Sequence, residues 1–231
     1  MKIKACILDA FGTLFNLDQS LLDHIDHPGV KYILSYTREK QLAYTWQHGL
    51  MESFIPFDQL TRIAISDGCR KYEADDSLID QLSPLYMHPT TFGDVLPGLQ
   101  KLRELEIPYV GILSNGTPDM LHAGVIENDL SDFLNRIYSV NEVETYKPDR
   151  RVYRMVCDDL DCHPNQVLFV SSNQWDVAGA FNFGFFACWL NRSGEFREST
   201  IAHEGIFEIQ KLQDVAKLLI LADFDHSKRS D

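Results

Sequence analysis

Asp9 closes the first apolar run of the chain and is followed by Ala10-Phe11-Gly12-Thr13-Leu14-Phe15. A carboxylate in that position is ionised at neutral pH and can serve as a covalent nucleophile, and Gly12 permits a tight turn that brings backbone N–H groups towards a bound anion. Three other clusters could share its chemistry: Ser114-Asn115-Gly116, Lys147-Pro148 with Tyr153 further on, and Ser171-Ser172-Asn173-Gln174-Trp175-Asp176. Each has a plain reading as well. An Asp ending a strand is often a turn former, Ser-Asn-Gly is often a simple turn, and a lysine beside a proline is by default a solvated loop cation. What favours chemistry is their shared position after short apolar runs, because an open parallel sheet binds ligands at the carboxyl ends of its strands.

The elements that must position these residues fall into two patterns. Short β-rich runs at Lys4 to Leu8, Tyr109 to Leu113, Arg136 to Val140, Val167 to Val170 and Phe186 to Leu190 are separated by helix-length segments, which predicts βαβ units and a parallel sheet. Pro97 opens a helix running to about Glu106, and Asp149 is the expected N-cap of one reaching about Asp161, with Val152, Met155, Val156 and Leu160 on its apolar face. A further amphipathic helix is expected from Ile209 to Ala222. Between Asn16 and Leu96 the periodicity is helical only, over Tyr32 to Met51, Phe57 to Tyr72 and Asp76 to about Tyr86, the last disturbed by Pro84. The expected architecture is an α/β fold: a Rossmann-like parallel-sheet core over residues 1–15 and 97–231, carrying an inserted helical cap over residues 16–96.

The four clusters, in this order across the chain, resemble the signature motifs of the haloacid dehalogenase superfamily. Arg38-Glu39-Lys40-Gln41-Leu42, the run from Tyr146 to Tyr153 and the run from Phe169 to Asp176 are similar to its L-2-haloacid dehalogenase branch. The resemblance implies that Asp9 displaces halide from a small 2-halocarboxylic acid, forming an ester that water then hydrolyses to a 2-hydroxy acid. By the same resemblance Arg38 and Asn115 would cradle the leaving halide. Ser114, with backbone N–H groups near Phe11 and Asn115, would hold the substrate carboxylate, and Ala10 would lie against the substrate. Lys147 would keep Asp9 anionic, while Thr13, Ser171 and Asn173 orient Asp9 or the water. Tyr153 would support Lys147, Asp176 would help to activate the water, and Phe11, Leu42, Phe57 and Trp175 would wall off bulk solvent.

Phosphatases of the superfamily carry a second Asp two positions after the nucleophile to protonate a departing alkoxide, where this chain has Phe11. A halide is so weak a base that it needs no such acid. Asp176 is the only carboxylate of its cluster and the eight histidines show no metal-ligand spacing, so neither a metal nor a cofactor is expected. An Mg²⁺-dependent phosphatase and a non-catalytic small-anion binding protein on the same fold are the competing readings. Glu39, Phe11 and Asp58 depart from residues common in the branch, which bears on substrate range more than on reaction type.

A formal net charge of −13 disfavours nucleic acid and anionic membranes as partners. The five cysteines are scattered without CxxC spacing, which suggests reduced thiols rather than a disulfide or zinc framework. The run from Ile3 to Leu8 is too short to span a bilayer, and a cytoplasmic protein is expected. Resemblance adds a homodimer.

Overall fold

The computed structural model describes residues 3–17 and 25–219. Its centre is a six-stranded sheet in the order β5-β4-β1-β6-β7-β8, formed by β1 Ala5–Leu8, β4 Tyr109–Ser114, β5 Arg136–Ser139, β6 Val167–Ser171, β7 Phe186–Leu190 and β8 Phe207–Ile209. Every neighbouring pair is parallel. All four residues of β1 and all five of β6 are buried, as expected of a sheet covered on both faces. Burying each Ile or Leu of these strands stabilises the fold by roughly 1.5–3 kcal/mol.

The order places the topological switch at β1, because the chain moves from β1 to β4 and β5 on one side and returns to β6, β7 and β8 on the other. Leu8 pairs with both Ile112 and Val170, and the Asp9 N–H extends the ladder to the Val170 carbonyl at 2.9 Å. Asp9, Ser114 and Ser171 therefore leave the sheet at the same edge, where the switch opens a crevice.

Helices α4 Val95–Glu104, α5 Pro118–Glu127, α6 Arg150–Leu160 and α7 Gln174–Phe183 link the strands. Thr117 caps α5 by accepting the Met120 N–H, with Pro118 in the first turn where its missing donor costs nothing. Asp149 accepts the Arg151 N–H at 2.8 Å to start α6, as expected, and the buried face of that helix is Val152, Tyr153, Val156, Cys157 and Leu160. Gly184, at a φ of 118°, ends α7 in the left-handed region that favours glycine.

Between β2 Phe15–Asn16 and β3 Thr90–Thr91 lie α1 Val30–Leu50, α2 Phe57–Lys71 and α3 Ser77–Leu85, with Pro84 inside the last turn of α3. Helices α1 and α2 pack closely because Gly68 carries no side chain; a Cβ there would stand 3.2 Å from Ile33 Cγ2. The buried stripe of α1 begins apolar with Val30, Ile33 and Leu34 and ends polar with Thr37, Gln41 and Thr45. Gln41 is satisfied by donating to Thr61 Oγ1 at 2.8 Å.

Three expectations need correction. Residues 207–209 form edge strand β8 and residues 212–214 a 3-10 turn, so the amphipathic helix expected from Ile209 starts only at Val215; residues 220–222 lie outside the described residues. Three strand residues are too few to show a period of two, and buried Ile209 and Leu212 mimic helical spacing with Val215 and Leu219. The second concerns Phe15–Asn16 and Thr90–Thr91, which pair antiparallel at the two crossings of the helical segment, inside a stretch read as helix only. Helix α4 also begins two residues before Pro97, which sits in its first turn.

Candidate active site

Asp9 is 6% exposed, and its two carboxylate oxygens meet different surroundings. Oδ2 accepts three hydrogen bonds: from Thr13 Oγ1 at 2.9 Å, Ser171 Oγ at 3.2 Å and Asn173 Nδ2 at 2.8 Å. Oδ1 receives the Lys147 ammonium at 3.0 Å. The loop after Asp9 turns sharply, with Gly12 at a φ of 86° and the N–H groups of Thr13, Leu14 and Phe15 all directed at the Ala10 carbonyl. Ala10 itself is fully buried and shapes this turn rather than presenting surface.

Lys147 reaches the site from the loop after β5 and is 1% exposed. A lone buried ammonium would lose its proton, but Nζ also contacts Asp176 Oδ2 at 2.8 Å and stands 5.0 Å from the Phe169 ring centre. Burial opposes the charge; the fields of Asp176 and Asp9, with their hydrogen bonds, outweigh it and hold the lysine above its ordinary value. Asp176 is completely buried, and desolvation pushes its carboxyl up to about 6 against the pull of Lys147. Its other oxygen accepts the Tyr153 hydroxyl at 2.8 Å, and burial among these carboxylates raises that phenol well above its usual range.

Arg38, on α1, spans to the core by donating to Asn173 Oδ1 at 3.0 Å. Because an arginine only donates, this contact fixes the amide so that Nδ2 faces Asp9 and, at 3.3 Å, the Phe11 carbonyl. Asn115 accepts the Lys147 backbone N–H at 3.1 Å through Oδ1, which turns its NH₂ group away from that loop. Ser114 Oγ accepts the Gly116 N–H at 3.0 Å, so the same side chain that could meet a ligand also shapes the turn after β4.

Phe11 packs against Phe15 at 5.9 Å and stacks on Phe57 at 6.1 Å, making an apolar wall two residues from Asp9. Trp175 stands edge-on to Trp46 of α1, 5.8 Å away, with a buried Nε1 that has no partner among the described residues. Leu42 is half-buried one turn after Arg38 on the same helix face. A cleft of about 100 Å³ lies beside Arg38, Phe11 and Gly12. It admits a molecule of a few heavy atoms and is far below the several hundred Å³ typical of drug-sized ligands. Two residues behind the nucleophile loop, Arg192 and Asp94, escaped the sequence reading because neither stands in a motif.

The sheet thus gathers a buried aspartate, a buried lysine and a second buried carboxylate at one edge, and the chain belongs to the haloacid dehalogenase-like hydrolases, whose family model matches residues 3–184. Within that family it falls in the 2-haloacid dehalogenase branch. The (S)-2-haloacid dehalogenase 4A of Burkholderia cepacia is 35% identical over 209 residues, covering 87% of this chain and 90% of that protein. The (S)-2-haloacid dehalogenase of Xanthobacter autotrophicus is 36% identical over 223 residues, covering 92% and 87%. Among solved structures, the L-2-haloacid dehalogenase from Xanthobacter autotrophicus with chloropropionic acid covalently bound superposes with a TM-score of 0.84 at 30% identity, covering 94% of this chain and 98% of that one.

Proposed function

We propose that the protein hydrolyses small L-2-haloalkanoic acids to 2-hydroxy acids through an aspartyl ester. The observation that carries the mechanism is the asymmetry of Asp9. Oδ2 is engaged by three donors, whereas Oδ1 meets only Lys147 among the described residues and is the oxygen left to attack. Oδ1 bonds to the halogen-bearing carbon from behind, the carbon–halogen bond breaks with its electron pair leaving on the halide, and the centre inverts. Water then adds to the Asp9 carboxyl carbon as Asp176 draws off a proton, and charge builds on Oδ2 where the three donors already point. The Cγ–Oδ1 bond breaks, the departing alkoxide takes a proton, and Asp9 is restored.

Arg38 and the Asn115 NH₂ receive the halide in this reading, and Ser114 with the N–H groups beside Phe11 and Asn115 holds the substrate carboxylate. Phe11, Phe57, Leu42 and Trp175 exclude bulk water from the displacement. Lys147 already takes the charge-compensating position between Asp9 and Asp176, and Phe11 supplies no proton for an alkoxide leaving group, so halide release is expected to be indifferent to chelator.

The decisive test is a single turnover on L-2-chloropropionate in ¹⁸O-labelled water. The 2-hydroxy acid should carry unlabelled oxygen from Asp9 while the enzyme peptide gains one label; label in the product instead would refute the covalent route. Asp9→Asn should reduce halide release by a factor on the order of 10⁴ or more.

The division into a core over residues 1–15 and 97–231 and a helical cap over 16–96 belongs to the same proposal, supported by the β2–β3 ribbon at the two crossings. So do a cytoplasmic location, supported by five unpaired cysteines, and a homodimer, for which exposed Tyr32 and Leu50 offer apolar surface on one face of α1. No helix of the described residues is long and apolar enough to cross a membrane.

A further inference from the structure

Arg192 follows β7 and reaches three separate stretches of chain with one guanidinium. Its Nε donates to both oxygens of Asp94 at 2.9 and 3.1 Å, its Nη2 to the Thr13 carbonyl at 2.8 Å, and its Nη1 to Ser172 Oγ at 3.4 Å. The flat face of the group rests on the Phe92 ring at 4.2 Å. Asp94 is held in turn by the Leu212 N–H at 2.8 Å. The nucleophile loop, the loop after β6 and the crossing that follows β3 are thereby joined at one ion pair whose side chains are only 20% and 15% exposed.

The two loops also meet each other at the catalytic carboxylate. The Ser172 N–H donates to Thr13 Oγ1 at 2.9 Å, and that hydroxyl donates to Asp9 Oδ2 at 2.9 Å. Because the Ser172 N–H can only donate to the Thr13 oxygen, the single hydroxyl proton of Thr13 is aimed at the Asp9 carboxylate. Arg192 grips Thr13 by its carbonyl and Ser172 by its side chain, and so sets the separation across which this relay operates.

We propose that Arg192, held by Asp94, is a positioning residue that keeps the Thr13 hydroxyl on Asp9 Oδ2 and so serves the hydrolysis of the ester more than its formation. This rests on the aspartyl-ester reading above. During displacement, Asp9 gives up negative charge, and a donor on Oδ2 favours the starting carboxylate. During hydrolysis, charge accumulates on Oδ2, and the same donor favours the transition state. Loosening the donor therefore slows the second step while leaving the first unchanged or slightly faster.

The experiment uses the full chain with Arg192→Met, L-2-chloropropionate, rapid-quench halide release and mass spectrometry of the Asp9 peptide. The expected result is a halide burst larger than that of the wild type, steady-state turnover lower by about tenfold or more, and accumulated Asp9 ester. Thr13→Val should do the same, and the double variant should be no slower than Thr13→Val alone, since both remove one donor. Equal slowing of both steps, or losses that multiply in the double variant, would overturn the proposal and leave Arg192 a purely structural ion pair. If Arg192→Met does not fold, Arg192→Lys, which keeps the charge but loses the fork, and Asp94→Asn carry the same test with smaller effects in the same direction. A readout without substrate separates this proposal from the ester mechanism: the Ser172 amide proton should exchange faster in the variants while amides of β1 and β6 are unchanged. Unaltered Ser172 exchange would refute the positioning role whatever the wild type turns over.

Discussion

At the scale of single residues, the site is a balance of charges that water does not screen. Lys147 is the counter-ion of two buried carboxylates at once, at 3.0 and 2.8 Å. Removing it leaves both unpaired, so Lys147→Met should lower stability by about 3–5 kcal/mol, read by denaturant unfolding, beyond what loss of activity alone would report. Asp176 gives a pH prediction with two opposite signs. Its carboxyl is raised from 3.8 to about 6, so the folded state holds this proton more tightly than the unfolded chain does. Its contribution to stability is thus fully present below about 3.8 and is lost as pH rises through about 6. Activity runs the other way if Asp176 is the base of the proposed mechanism: ester hydrolysis should fall on the acid side with a midpoint below 6, because the esterified Asp9 no longer carries the charge that helps to raise Asp176. A stopped-flow pH profile of ester hydrolysis checks this, and Asp176→Asn should abolish the step rather than move the midpoint.

At the scale of elements, helices α6 and α7 approach so closely that the space at Gly179 is already used. A Cβ there would fall 2.4 Å from the Tyr153 hydroxyl and 2.6 Å from Pro148 Cβ. Gly179→Ala should therefore push Tyr153 off Asp176 and disturb the Lys147-Pro148 loop, costing roughly 1–3 kcal/mol in stability with a measurable drop in turnover. An unchanged melting temperature and rate would show that the two helices can separate freely. The same packing explains what could be read without the structure. Asp9, Lys147, Ser171, Asn173 and Asp176 stand in short local clusters after strands, and β1, β4, β6 and β7 are apolar runs bounded by turn residues, so both are written within a few residues. Arg192 and Asp94 sit 98 positions apart in the chain and acquire meaning only when the sheet brings them together. Strand β8 was hidden because a three-residue edge strand next to a helical turn has no period of its own.

At the scale of the whole molecule, the opposing facts are a strongly acidic protein and an anionic substrate. The formal charge is −13, while at the site Asp9 and Asp176 are matched by Lys147 and Arg38, which leaves little net local attraction. Glu39, whose side chain is 69% exposed, follows Arg38 in the chain and is paired with Lys40 at 3.1 Å, so it cancels a cation that would otherwise attract an anion on the outer side. On the proposed mechanism an approaching 2-haloacid is thus repelled at long range and captured only once it reaches Arg38 and the loop amides. Raising ionic strength from about 10 to about 150 mM shortens the screening length from about 30 to about 8 Å and weakens the long-range repulsion more than the short-range capture. With a halide-free salt, kcat/KM should rise, by about twofold, while kcat stays constant because the bound substrate is shielded from the added ions. Glu39→Gln should raise kcat/KM at low salt and flatten its salt dependence. A fall in kcat/KM with salt would mean that Arg38 governs the approach from a distance, and the acidic surface would then have no part in limiting substrate capture.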